Sequence, residues 1–222
     1  MVLDVAVLSA VGVRPDGTRS VLGVSVELSE AQPHWRRFLE GLVARGMTGL
    51  TYVVSDDHAG LKAARRAVLP SVPWQRCQFH LQQNAAKHCP NRVVQAQVQV
   101  HEGLRDVFTA NTRVDAEARL QALAAGLQEK HPKLSGWLEE NAPEGLTVFM
   151  LPACRRKKMR TSNGIEKPIQ QELKRRTRKI RVFPNAASLL RLSTAILVEI
   201  DDTWSGSGRR YLIEPADAEP TP

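Results

Sequence analysis

The apolar positions of this chain start as short continuous runs and shift to helical spacing after about residue 60. Val5-Ala6-Val7-Leu8 with Val11-Gly12-Val13, and then Val21 to Val26, read as buried strands. Between them Arg14-Pro15-Asp16-Gly17 has turn chemistry, with Pro fixing φ and Gly supplying a positive φ. Ser29 is placed to cap a helix on which Trp35, Phe38, Leu39, Leu42 and Val43 recur at helical spacing, and Arg45-Gly46 supplies its stop. Leu50 to Val54 is a third apolar run, and it delivers Ser55-Asp56-Asp57-His58 at its C-terminal end. Strand, hairpin, helix and strand in that order predict an α/β fold with Val5–Val13, Val21–Val26 and Leu50–Val54 in one mixed sheet.

From Gly60 to about Glu140 the pattern is mainly helical, broken by Pro70-Ser71-Val72-Pro73. Alanine-rich stretches such as Ala116 to Leu127 have the apolar face of bundle helices. Leu151 to Ser162 reads as irregular and basic. Ile165 to Arg178 reads as a helix with Pro168 in its first turn, where a missing N–H costs little. Asn185 is a cap for a last helix whose apolar side is Leu189, Leu190, Leu192, Ile196, Leu197 and Ile200. Ala216 to Pro222 reads as a frayed tail.

Composition narrows the class. With 222 residues and 42% apolar content the chain can bury a core. No apolar run reaches the ~18 residues of a membrane span, and Met1-Val2-Leu3-Asp4 has no basic region of the secretory kind. Three scattered cysteines do not make a disulfide framework and fit a reducing cytoplasm. Charge changes the picture most. The chain carries a formal +8, yet Arg155 to Arg181 alone holds 12 Lys/Arg against Glu166 and Glu172. A near-neutral globule with one dense basic segment implies a polyanion-binding face; a solvated basic helix is the alternative.

Three sets of residues could carry chemistry. Asp56, at a strand end beside Asp57 and His58, can hold a hard divalent cation or cap the helix that follows. Glu166 lies two helical turns before Lys174-Arg175-Arg176; it can be a metal ligand beside a phosphate-gripping surface, or complement the helix dipole. Glu172 is equally near, and position does not decide between them. Cys77 and His80 form a C-x-x-H pair, either half of a zinc site lacking its second pair or a packed turn. Glycine-rich phosphate loops, nucleophile elbows and the dinucleotide fingerprint are absent from the sequence.

These pieces resemble a known family. Gly12-Val13-Arg14-Pro15-Asp16-Gly17-Thr18-Arg19, Val21-Leu22-Gly23-Val24, Trp35-Arg36-Arg37-Phe38-Leu39 and Ser55-Asp56-Asp57-His58-Ala59-Gly60-Leu61-Lys62 resemble the first part of bacterial Mutator-type insertion-sequence transposases. Trp74-Gln75-Arg76-Cys77-Gln78-Phe79-His80 with Asn84 resembles the family's C-x-x-H signature. Ser162-Asn163, Ile165-Glu166, Glu172-Leu173-Lys174-Arg175-Arg176-Thr177-Arg178, Phe183-Pro184-Asn185 and Asp201-Asp202-Thr203-Trp204 resemble its C-terminal block. The match runs in order from about residue 5 to 212.

The resemblance implies a DDE transposase with a ribonuclease-H-like core and an all-helical insertion. Three carboxylates then bind two Mg²⁺ ions for strand cleavage and transfer on double-stranded DNA. Asp56 matches the second Asp and Glu166 the Glu. Lys174, Arg175, Arg176, Arg178, Lys179 and Arg181 are expected to grip phosphates, and Cys77 and His80 are the family signature without an assigned role. The expected organisation is a first core part over 1–72, the insertion over 73–150, a second core part with the basic helix over 151–212 and a tail over 213–222. The strand bearing the family's first Asp matches nothing in this sequence. The chain is therefore expected to be an N-terminally truncated transposase with an incomplete Mg²⁺ site, inactive by itself and associating with itself or with an intact transposase. The alternative is a non-catalytic DNA-binding fragment that modulates the intact enzyme.

Overall fold

The structure, a computed structural model, describes residues 4–89 and 94–213; the frayed tail expected over Ala216–Pro222 lies outside the described residues. In chain order the elements are β1 (Ala6–Val13), β2 (Arg19–Glu27), α1 (Gln32–Ala44), β3 (Val53–Ser55), α2 (Ala59–Val68), β4 (Trp74–Arg76), α3 (Gln78–Lys87), α4 (Val94–Phe108), α5 (Arg113–Gln128) and α6 (Pro132–Asn141). Two 3₁₀ turns, Ala142–Gly145 and Thr147–Met150, precede α7 (Ala153–Met159), α8 (Asn163–Ile180) and α9 (Ala186–Gly206). The α/β class holds, with helix predominating. No helix among the described residues is long and apolar enough to cross a membrane.

The chain divides into two compact units, one drawing on residues up to Leu50, His58–Val72 and from Asn163 onward, the other on Thr51–Asp57 and Pro73–Ser162. In the first, β1 and β2 form the expected antiparallel hairpin. Its turn closes as the sequence demands: Gly17 takes φ +83, and Asp16 Oδ1 accepts the Thr18 N–H at 2.8 Å and hydroxyl at 2.7 Å. The Thr18 side-chain and backbone hydrogen bonds hold the Asp16 carboxyl below the usual range. Side-chain alternation then gives the hairpin two apolar faces. Ala6, Leu8 and Ala10 meet Phe38, Leu39, Leu42 and Ala64 of α1 and α2. Val7, Val11, Val21 and Val24 meet Ile169, Leu173, Ile196 and Leu197 of α8 and α9. Asp201 fastens α9 to β2 by accepting the Val21 N–H at 2.7 Å.

Helix ends follow local chemistry, with three corrections. Asn185 caps α9 by accepting the Ser188 N–H at 2.9 Å, and Gly46 at φ +96 terminates the turn after α1. The start of α1 is not capped by Ser29: it begins at Gln32 with Pro33 in the first turn, where a missing N–H leaves nothing unpaired. Pro168 lies inside α8, which starts two residues earlier than Ile165. The hydrogen bond it forfeits would have gone to the carbonyl of Gly164, an exposed residue that water can serve. Ala153–Met159, expected to be irregular, is helical.

In the second unit the mixed sheet is corrected. β3 does not join β1 and β2; it pairs in parallel with β4, so the described strands form two two-stranded sheets. Parallel pairing needs a crossover connection, and residues 56–73 supply it. Trp74–Arg76, expected to open a helical region, is a strand because Gln75 and Arg76 find buried polar partners there (below). Helices α3 to α6 and the 3₁₀ turns enclose a core of Leu81, Leu104, Leu120, Leu127, Leu134 and Leu138. Thr112 caps α5 by accepting the Asp115 N–H at 3.1 Å.

Candidate active site

Asp56 leaves β3 at its C-terminal end, where the strand delivers it as expected. Its Oδ1 accepts the Asp57 N–H at 2.7 Å, and its carbonyl accepts the Ser55 hydroxyl at 2.9 Å. Ser55 Oγ in turn accepts the Trp74 indole N–H of β4 at 2.8 Å. The carboxylate is therefore oriented by backbone and neighbouring strand, yet its side chain remains 49% exposed.

The string Trp74-Gln75-Arg76-Cys77-Gln78-Phe79-His80 supports that loop. Arg76 is a buried charge, its side chain 2% exposed, and such a charge needs partners to persist. It has them: Asp57 Oδ2 at 3.0 Å, Glu144 Oε2 at 3.1 Å and Asn141 Oδ1 at 3.0 Å, with its guanidinium 5.6 Å from the Trp137 ring centre. Gln75 is buried too; its Oε1 accepts the Val148 N–H at 2.7 Å and the Tyr52 hydroxyl at 3.2 Å, and its Nε2 donates to the carbonyls of Arg76 and Gly145. These two polar side chains tie β4 to the 3₁₀ turns and to the Asp56 loop.

Cys77 and His80 lie on the same support. The Cys77 N–H donates to the Ser55 carbonyl at 2.7 Å, and its sulfur lies 3.1 Å from Thr161 Oγ1. Burial pushes this thiol up, but hydrogen bonds with His80, Ser162 and Thr161 outweigh it and bring the thiol down to about 6. His80 Nδ1 lies 3.8 Å from Asp56 Oδ1. The C-x-x-H pair thus packs a turn against the Asp56 loop.

Glu166 occupies the first turn of α8, beside Ile165 and Ile169 of the apolar face. Further along, Glu172 is committed to arginines: Oε2 takes Arg175 Nε at 2.9 Å, and Oε1 takes Arg175 Nη2 at 2.6 Å and Arg176 Nε at 2.9 Å. These hydrogen bonds from Arg175, then Arg176, hold its carboxyl at about 2. Arg176 also pairs with Glu199 of α9. Lys174, Arg178, Lys179 and Arg181 are exposed. Arg181 adopts φ +64 and donates its N–H to the Thr177 carbonyl, which ends the helix.

Asp56 belongs to the second unit and Glu166 to the first. Both offer hard oxygen donors, the type that Mg²⁺ takes. Among the described residues no three His, Cys, Asp or Glu side chains gather into a group able to hold a metal. The residues that sequence reasoning missed are Gln75 and Arg76. Their signal was two long polar side chains between an apolar Trp and Cys, in a segment without helical periodicity.

A carboxylate braced at a strand end with a C-x-x-H turn packed on its loop, and a basic helix led by an acid, accord with the family resemblance. The chain belongs to the Mutator family of transposases, which it matches over residues 1–207. It is 53% identical over 211 residues to the transposase for insertion sequence element IS406 of Burkholderia multivorans, covering 95% of this chain and 53% of that protein. It is 38% identical over 209 residues to the transposase for insertion sequence element ISRM5 of Rhizobium meliloti, covering 94% and 52% respectively. The transposase for insertion sequence element IS256 in transposon Tn4001 of Staphylococcus aureus is 30% identical over 203 residues, covering 91% and 51%. The chain spans about half the length of these curated relatives.

Proposed function

We propose that this chain supplies two carboxylates, Asp56 and Glu166, to the divalent-metal site of a DDE transposase with a ribonuclease-H-like core, and that its basic helix grips DNA phosphates. The observation that carries this reading is the Asp56 loop. A carboxylate held by a backbone N–H, flanked by Asp57 on the buried Arg76 and left half open to solvent, is prepared for a ligand rather than spent on packing. Glu166 is taken as the second acid because the resemblance matches it to the family's Glu; Glu172 pairs with Arg175 and Arg176.

Both acids fit Mg²⁺ in donor type. When bound, such ions activate an attacking water or 3′-hydroxyl and stabilise the leaving oxygen of a DNA phosphodiester. The chain's own part is placement. Ser55, Asp57 and Arg76 fix Asp56, and α8 carries Glu166 on the same rod as Lys174, Arg178 and Lys179, so phosphate grip and metal ligand share one helix. Two acids leave a two-ion site short of the third carboxylate that the resemblance implies, so residues 1–222 bind DNA without cutting it. The test is incubation with a supercoiled plasmid carrying the element's ends, in Mg²⁺ and then Mn²⁺. DNA binding without nicking is expected. Nicking that disappears in Asp56→Ala would show a complete acid set within this chain, and failure to bind the plasmid would contradict the DNA reading.

A further inference from the structure

The longest unbroken run of basic residues lies on α7, not on α8. Arg155, Arg156, Lys157 and Lys158 occupy that seven-residue helix and Arg160 follows it, while no acid occurs between Glu144 and Glu166. On α8 the corresponding arginines are answered from within, Arg175 and Arg176 by Glu172, and Arg176 again by Glu199. Among the described residues neither Lys157 nor Arg160 is ion-paired.

Like charges so close repel, and a short helix holds them only if something braces it. Arg156 does so. Its Nε donates to the Leu151 carbonyl at 2.8 Å, Nη1 to the Asn111 carbonyl at 2.8 Å and Nη2 to the Phe149 carbonyl at 3.2 Å, with the guanidinium 5.2 Å from the Phe149 ring centre. One arginine is thus used structurally, fixing α7 against the loop between α4 and α5 and the second 3₁₀ turn. Beside it opens a surface cleft of about 390 Å³, lined by Phe108, Asn111, Phe149, Arg156, Lys157 and Arg160. Lys157 and Arg160 are three residues apart, one helical turn, so both reach the same rim.

We infer that α7 and this rim form a second DNA contact, gripping the phosphate backbone of duplex DNA through Lys157 and Arg160, with Lys158 adding to the field. The inference rests on the reading that this chain binds DNA, and it assigns part of that binding to the helical unit rather than to α8. An open surface on which Lys157 and Arg160 are not ion-paired among the described residues suits a polyanion that runs past it, because each phosphate gripped releases counterions without needing to be enclosed.

The experiment is a fluorescence-anisotropy titration of the purified chain against a short labelled duplex across a range of KCl concentrations. Lys157→Ala with Arg160→Ala should weaken binding and reduce the slope of log K against log [salt] by about 2, because each phosphate that a cation neutralises contributes roughly 0.9. The charge-preserving pair Lys157→Arg with Arg160→Lys should keep the parental slope. Should the Ala pair lose its circular-dichroism spectrum, Lys157→Gln with Lys158→Gln on the exposed side of α7 should reduce the slope in its place. An unchanged slope in a folded Ala or Gln pair would overturn the α7 contact while leaving the DNA reading intact, which Lys174→Ala with Arg178→Ala tests separately. A parent chain that binds no duplex would overturn both.

Discussion

Arg76 Nη2 lies 3.0 Å from Asp57 Oδ2, a buried guanidinium fixed to the residue directly after the proposed metal ligand Asp56. The same guanidinium reaches Glu144 at 3.1 Å, so one side chain from β4 ties the loop after β3 to the 3₁₀ turn that closes the helical core. Asp57 returns the support through its own N–H, which Asp56 Oδ1 accepts.

Removing that guanidinium should therefore be costly. Arg76→Met takes the guanidinium away from both Asp57 and Glu144, and breaking a buried pair in this way costs about 3–5 kcal/mol. The lower end applies here, because both carboxylates keep about a quarter of their side-chain surface in water. Arg76→Lys should recover only part of the loss, since an ammonium lacks the planar fork that serves two carboxylates at once. Urea unfolding curves of the three proteins check this; parental stability in Arg76→Met would contradict it.

Cys77 gives a pH signature. Its thiol sits at about 6 in the folded chain, against an ordinary value of 9.0, because hydrogen bonds with His80, Ser162 and Thr161 overcome the upward push of burial. Between those two values the unfolded chain holds a proton that the folded chain has released, so stability from this group should rise as pH rises through that window. It is fully present above the upper value and lost as pH falls through the lower one. Melting temperature measured against pH should rise more steeply there for the parent than for Cys77→Ala, and parallel curves would contradict the low thiol value.

Glu172 restrains the basic helix. It holds Arg175 and Arg176 in ion pairs on α8, where its carboxylate competes with phosphates for them. Glu172→Gln should release Arg175 while Arg176 stays on Glu199, steepening the salt dependence of duplex binding by about 1 in slope. Weaker binding at every salt concentration would instead assign Glu172 a structural role.

Much of this arrangement is visible in the chain before folding, where the signal is local. The Pro15-Asp16-Gly17 turn, the Gly46 stop and the Asn185 cap each depend on one or two residues and are formed as read. The presence of Asp56 at a strand end follows from the apolar run ahead of it. What escaped the sequence depends on distant partners. β4 spans three residues, too few for a periodic pattern, and exists because Gln75 and Arg76 meet Gly145, Val148 and Glu144 some seventy positions later. The separation of β3 from β1 and β2 is likewise a pairing choice that no local pattern encodes. α7 has no apolar stripe to announce it, and its brace, Arg156, reads in the sequence as one more surface charge.

Asp56 and Glu166 are proposed to serve one divalent-metal site. That proposal is tested most directly by loading the chain with Fe²⁺ in place of Mg²⁺ and adding ascorbate and peroxide, which cut the polypeptide backbone beside the bound ion. Cuts are expected near both residue 56 and residue 166, each lost in Asp56→Asn and equally in Glu166→Gln, and suppressed by excess Mg²⁺. Cuts near one of these residues that survive substitution of the other would show that the two acids hold no common ion.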